Sequence, residues 1–295
     1  MRSKALKPPK SDGRCIHCRE TPNKLTKDHV FPASWYPETT PKEVQRWTAP
    51  SCSACNGKFG AMERELLEFF AVCIDPSKPA AKGLYARVRR SMGIGVDGID
   101  EGEKAVREAL RRNFIQNAEP YSPEADKHTL PGVGRHVGFP DSMLRQTYIE
   151  QEKVHEVVKK IVRGCEYWLG NGRIVEPPYE IEVIFAQDTT PFVAAVMDRF
   201  AVVTRDLEPG LAIRRATAQD DPLNSLYELT LWDTTTVYAT ILPRDGDEPS
   251  AVPTHEEIAI HAYYHWERRG RPEGSSQIDW YWAVQDLKAL LGRSK

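Results

Sequence analysis

Two cysteine pairs constrain the fold of this chain more than any other feature. "CIHC" supplies Cys15 and Cys18, and "CSAC" supplies Cys52 and Cys55. Each pair fits one tight turn, and four thiolates satisfy the tetrahedral coordination of structural zinc. Chance pairs or a redox pair explain the doublet poorly. Because the intervening segment is longer than in a compact zinc ribbon, the sequence predicts a structural zinc ion that closes the base of a sizeable loop.

The loop contains an adjacent carboxylate and imidazole, Asp28 and His29, in the stretch "LTKDHVFP". A lone Asp-His pair indicates little, since most histidines are structural. Asn56 follows the second cysteine pair directly, where it is either a metal ligand or a helix N-cap beside the zinc turn. Carboxylate and amide oxygens are hard donors that suit Mg²⁺ or Mn²⁺, and a neutral imidazole accepts a proton near pH 7.

The order C-x-x-C, D-H-V-x-P and C-x-x-C-N, followed by "GKFG", resembles the zinc-stapled HNH (His-Me finger) endonucleases. The resemblance covers residues 15–70 and implies a ββα-metal unit that hydrolyses phosphodiester bonds in DNA. It implies that His29 is the general base, that Asp28 and Asn56 hold Mg²⁺ or Mn²⁺, and that the four cysteines hold structural zinc. Such bacterial proteins often belong to mobile elements or to the restriction of foreign DNA.

One position departs from the family pattern. The family usually has a further Asn that holds the catalytic His by its backbone, and Trp47 stands at that position here. Three interpretations remain open. Gln45 or Thr48 orients His29, the imidazole is less well fixed, or the unit binds nucleic acid without cutting it.

Basic residues are concentrated near the N-terminus. Residues 1–60 contain eleven Lys and Arg side chains against five Asp and Glu, whereas the whole chain has a net charge of −2. A local basic surface suits a phosphate backbone, although a solvated helix face explains the stretch after residue 80 equally well. The sequence predicts five nucleic-acid contacts: Lys27, Lys58, Arg87, Arg89 and Arg90. The loop aromatics Trp35 and Tyr36 either stack on bases or pack over the zinc loop.

The periodicity of apolar residues along the rest of the chain predicts an α+β protein. Helical periodicity extends from about Lys58 to Ile74, over residues 101–117 and again before "GNG", whereas alternating β-branched residues predict an antiparallel sheet over 179–243. The predicted units are a zinc-stapled HNH domain (1–75), a helical region (76–170) with an irregular connection (118–141), a β-rich accessory domain (171–245) and a C-terminal helical hairpin (250–295).

The C-terminal hairpin resembles a short bacterial module of unknown function, with an A-Y-x-x-W-E…G-R-P-x-G…D-W-x-x-A pattern. Its aromatics Tyr263, Trp266, Trp280 and Trp282 are predicted to form the hairpin core rather than a ligand cage. A protein partner or self-association through this region is the remaining expectation for it.

No apolar run approaches the roughly 20 residues that span a bilayer, so we expect a cytoplasmic protein with no membrane partner. The sequence therefore favours a DNA endonuclease. A catalytically inactive zinc module for nucleic-acid binding or assembly is the alternative, and an RNA-directed nuclease would differ only in substrate.

Overall fold

The structure is a computed structural model that describes residues 7–75, 77–94, 100–116, 118–122, 145–146, 149–185, 191–206, 210–218, 221–244, 255–272 and 278–285. Its helices are α1 (Ser53–Cys73), α2 (Leu84–Ser91), α3 (Glu101–Gln116), α4 (Gln151–Leu169), α5 (Pro191–Phe200), α6 (His255–Arg268) and α7 (278–285). Its strands are β1 (Thr26–His29), β2 (Thr48–Ser51), β3 (Glu119–Pro120), β4 (Arg145–Gln146), β5 (Tyr179–Phe185), β6 (Ala201–Asp206), β7 (Leu211–Thr217), β8 (Ser225–Leu231) and β9 (Thr235–Pro243). This mixture of helices and antiparallel sheets confirms the α+β class.

The N-terminal unit consists of the antiparallel pair β1–β2 followed by α1. His29 lies opposite Thr48 in the strand register. Helix α1 begins at Ser53, earlier than predicted, because the preceding Cys52 caps it: the Cys52 Sγ accepts the backbone N–H of Cys55 at 3.4 Å. The second cysteine pair therefore lies on the first turn of α1.

Helix α4 packs one face against the β1–β2 hairpin. Lys160, Gly164 and Trp168 recur every fourth residue and so share a face. The Trp168 Nε1 donates to the carbonyl of Thr48 at 2.9 Å, and its ring stacks on Trp47 with centroids 5.1 Å apart. The residue at the expected Asn position is thus part of the core between α4 and the hairpin.

Gly164 is required by the close approach of α4 to β1. A Cβ at this position would lie 2.7 Å from Cγ2 of Val30, closer than side-chain carbons pack. The missing side chain therefore lets the helix backbone lie directly against the residue that follows His29.

A five-stranded antiparallel sheet, ordered β5–β9–β8–β7–β6, covers another face of α4, which confirms the predicted sheet. Fully buried Glu166 of α4 joins helix and sheet. It accepts hydrogen bonds from Arg215 Nη2 at 2.8 Å and from the Tyr227 hydroxyl at 2.6 Å. Such a buried carboxylate requires these partners.

Helix α5 was not predicted, because the sequence between β5 and β6 is short and apolar and gives no clear period. Pro191 at its first position favours a helix start. Met197 packs against Ala216 and Tyr238 on the sheet face opposite α4, since Ala216 alternates with Arg215 along β7.

One hydrophobic cluster runs from Ile16 in the N-terminal unit to Ile241 in β9. Trp35 and Tyr36 are buried in the N-terminal part of this core, and the Trp232 Nε1 donates to the Trp35 carbonyl at 2.8 Å. This burial assigns the two loop aromatics to packing rather than to base stacking.

The predicted irregular connection lies mostly outside the described residues, although β3 and β4 pair at its flanks. In the C-terminal hairpin, Tyr263 and Trp282 are 50% and 41% exposed, so the prediction that both belong to a core is wrong for the described residues. None of the described helices combines the length and the apolar character that crossing a membrane demands.

Candidate metal centre and adjoining cleft

The four predicted cysteines converge at the base of the β1–β2 loop. Their Sγ atoms all lie within 4.8 Å of one another, and those of Cys18 and Cys52 are 3.9 Å apart. A tetrahedral zinc ion with Zn–S bonds of about 2.3 Å places its sulfurs about 3.8 Å apart. The cluster is therefore suited to bind a metal ion such as zinc.

The pKa of a thiol in the cluster is consistent with a metal site. Burial, followed by the proximity of the neighbouring thiols, raises the pKa of Cys55 well above its ordinary value. Four thiols at this spacing cannot all ionise without a cation to offset their charge. Metal binding must therefore displace protons from the cluster.

His17, inside the first cysteine pair, connects this turn to Asp28. Its Nε2 lies 3.0 Å from the Asp28 Oδ2, and its ring packs against Phe59 with centroids 4.7 Å apart. This contact was not predicted, although a histidine within a C-x-x-C turn is itself a signal. The cysteine turn therefore fixes one side of the Asp28 carboxylate.

Lys160 of α4 approaches Asp28 from the other side. Its Nζ lies 3.1 Å from the Asp28 Oδ1 and 2.8 Å from the Glu63 Oε1 of α1. The ammonium also donates to the carbonyl oxygens of His29 and, at 3.3 Å, of Val30. Lys160 is 1% exposed. The only sequence signal for it was a lysine within an apolar helical repeat.

These contacts keep Asp28 ionised. Burial alone would raise the pKa of its carboxyl group, but the hydrogen bond from His17 and the charge of Lys160 outweigh burial and lower that pKa below its ordinary value. A carboxylate has about four lone-pair positions, of which these two partners occupy one on each oxygen. Asp28 therefore retains oxygen lone pairs that fit a divalent cation.

Asn56 lies on the same side of β1 as Asp28. Its Nδ2 donates to the Thr26 Oγ1 at 2.9 Å, and the Thr26 hydroxyl donates in turn to the Ser51 carbonyl at 2.8 Å. The amide oxygen is thereby left as the end that can contact a cation. Since Cys52 caps α1, the N-cap alternative for Asn56 is wrong.

Among the described residues, His29 is held in place by hydrogen bonds to its backbone and not by hydrogen bonds to its imidazole ring. Its Nδ1 is buried and has no hydrogen-bond partner within the described part of the chain. The next residue, Val30, donates its N–H to the Trp47 carbonyl at 2.9 Å, and Lys160 binds the His29 carbonyl. A buried, unpaired imidazole nitrogen fits a site that a water molecule or a substrate completes.

A cavity of about 450 Å³ gathers the predicted residues Asp28, His29 and Asn56 together with Lys27 and Arg87. Arg64, Glu63 and Glu68 of α1 also line it and were not predicted. Cations thus border the cleft on three elements: Lys27 on β1, Arg64 on α1 and Arg87 on α2.

The other predicted cations do not line this cavity. Lys58 pairs with Glu156 at 3.6 Å, while Arg89 and Arg90 are exposed on α2. Arg87 serves packing as well, because its half-buried guanidinium donates to the carbonyls of Ser34 and, at 3.3 Å, of Tyr36.

The C-terminal region matches a known family model. The model of a protein family of unknown function, DUF2934, matches residues 253–289, a range that contains α6 and α7. No curated protein and no solved structure matches the chain.

Proposed function

We propose that the protein is a metal-dependent endonuclease that hydrolyses phosphodiester bonds in DNA. The observation that carries the proposal is the cleft in which an ionised Asp28, the imidazole of His29 and the amide of Asn56 meet beside a four-cysteine cluster. The resemblance of residues 15–70 to HNH endonucleases points to the same three side chains, and restriction of foreign DNA is the setting that this resemblance suggests.

His29 takes the proton of the attacking water. Burial lowers the pKa of its imidazole, and the charges of Lys160 and Arg46 lower it further, so the ring is a neutral base at pH 7. As the water oxygen forms its bond to phosphorus, the bond from phosphorus to the 3′ oxygen breaks and the departing oxygen takes a proton from solvent, which leaves a 5′-phosphate and a 3′-hydroxyl.

Asp28 and Asn56 are the proposed ligands for Mg²⁺ or Mn²⁺. The bound ion would supply positive charge that offsets the charge on the phosphorane and on the departing 3′ oxygen. Lys27, Arg64 and Arg87 border the same cleft and would attract the phosphate backbone.

The direct test is to incubate purified protein with modified and unmodified plasmid and phage DNA in Mg²⁺, Mn²⁺ or chelator. We expect cleavage with a divalent cation and none with chelator, and the zinc content is measured in parallel. Cleavage that persists unchanged in chelator, or no cleavage under any of these conditions, contradicts the proposal. An RNA substrate in the same assay tests the RNA-directed alternative.

One observation favours the non-enzymatic alternative. Both oxygens of Asp28 already have partners, His17 and Lys160, so the network is satisfied as a structural ion pair. A zinc module that binds nucleic acid without cutting it would need no more than this. Such a protein would shift DNA in a binding assay and leave it intact with every cation.

The pH profile gives a further prediction. Because the pKa of His29 is lowered, its imidazole stays neutral below the ordinary value of about 6.5, and protonation at still lower pH removes the base. We expect cleavage to persist at pH 6.5 and to decline only under more acidic conditions. Cleavage rates measured from pH 5 to 8 at constant ionic strength show where this acidic decline begins. A decline that begins above pH 7 would contradict the prediction.

A further inference from the structure

The backbone of His29 has a partner that the family pattern does not predict. Trp47 occupies the expected Asn position and packs its ring against Trp168, while its backbone carbonyl accepts the Val30 N–H. The His29 carbonyl instead accepts a hydrogen bond from the ammonium of Lys160, which reaches it from α4.

We propose that Lys160 is the positioning residue of the cleft, which holds Asp28 by its carboxylate and His29 by its backbone carbonyl in one fixed arrangement. This inference rests on the proposed nuclease function. It adds a residue from a distant helix to a site that sequence places within residues 15–70.

Lys160 holds Asp28 and His29 in place, but it does not itself reach the substrate. One ammonium lies within 3.1 Å of the Asp28 Oδ1, binds the carbonyls of His29 and Val30, and pairs with Glu63 of α1 at 2.8 Å. Lys160 is buried and does not line the cleft. It therefore acts on the reaction through the two residues that it holds.

Three elements meet at this ammonium: β1, α1 and α4. An ammonium has only three protons to donate, and its neighbours here are two carboxylates and two carbonyls, so its position is strongly determined. Gly164, one turn further along α4, permits the close approach that lets Lys160 reach β1. A site in which reacting groups are displaced by about 1 Å loses on the order of 10²-fold in rate.

The test uses a matched pair of lysines on α4. Lys153 also joins α4 to α1, through Glu65 at 2.7 Å, but touches neither Asp28 nor His29. We expect Lys160→Met to lower kcat for DNA cleavage on the order of 10²-fold with little change in KM. Lys153→Met should retain the parental kcat.

A double variant separates positioning from simple stability. Lys160→Met leaves Glu63 as a buried carboxylate without its partner and is destabilising, whereas Lys160→Met/Glu63→Leu removes the pair together and should recover much of the lost stability. Asp28 retains His17 in both variants. Glu63 itself lines the cleft, so positioning predicts that the double variant regains its melting temperature while its kcat stays well below that of Glu63→Leu alone.

A second readout does not depend on cleavage. Hydrogen exchange at the Val30 amide should accelerate roughly tenfold or more in the double variant, because the end of β1 loses its anchor, and should stay at the parental rate in Lys153→Met. A double variant with recovered stability, parental kcat and unchanged Val30 exchange would overturn the inference. If the parent protein does not cleave DNA, the nuclease proposal fails, and the exchange measurement still decides whether Lys160 anchors His29.

Discussion

Replacing His29 with alanine should reduce the rate of DNA cleavage by at least about 10²-fold, since a general base contributes roughly 10²- to 10⁴-fold. The fold should tolerate the change. The contacts that hold His29 in place are made by its backbone: Lys160 donates to its carbonyl, and β1 pairs with β2 at this residue. The imidazole Nδ1 has no partner in the described residues.

The measurement is plasmid cleavage with Mg²⁺ or Mn²⁺, accompanied by zinc content and melting temperature. His155 supplies a matched control, because this half-buried histidine packs on Phe185 away from the cleft. His155→Ala should cut at the parental rate. If His29→Ala also cuts at that rate, His29 is not the base; if it loses zinc or melts early, the lost cleavage has a structural cause.

Loss of the metal from the cysteine cluster is the second large effect that we expect. Structural zinc contributes an apparent 10–16 kcal/mol or so to the folding of small zinc units, which rivals the total stability of about 5–15 kcal/mol of an average domain. Cys52→Ala removes one ligand of the proposed zinc ion together with the cap of α1. We therefore expect the N-terminal unit to unfold in this variant.

Tryptophan fluorescence reports that unfolding. Trp35 packs on Trp232, and Trp47 stacks on Trp168, so loss of the N-terminal unit exposes indole rings to water and shifts their emission to the red. Cys165→Ala is the matched control, since Cys165 is buried in α4 away from the cluster. Parental emission and melting in Cys52→Ala, or a protein that contains no metal when purified from zinc-replete cells, would contradict a structural zinc site.

The parts of the site that sequence predicts are those in which spacing determines geometry. The two cysteine pairs, the adjacent Asp28 and His29, and Asn56 beside Cys55 are local patterns, and the structure places these residues around one cluster and one cleft. A tight turn or a helix start brings such residues together without help from the rest of the chain.

The parts that sequence did not predict depend on tertiary contacts. Lys160 is separated from His29 by 131 positions, and its place in an apolar helical repeat indicates burial without identifying the groups that it contacts. The predicted nucleic-acid contacts show the opposite error. A basic stretch predicts positive charge but not the direction in which each side chain points, and the cleft is not lined by Lys58, Arg89 or Arg90. The core position predicted for Tyr263 in the C-terminal hairpin is wrong for the same reason, since its side chain is half exposed.

The close contact between Gly164 and Val30 has a consequence for how such a site can be inherited. The Asp-His strand and α4 must keep complementary surfaces, because the helix fits the strand only where one residue lacks a side chain. A recombination event that moved the N-terminal unit alone into another protein would transfer Asp28 without Lys160, which contacts its carboxylate from α4. The unit of exchange between genomes would therefore extend at least from Cys15 to Trp168.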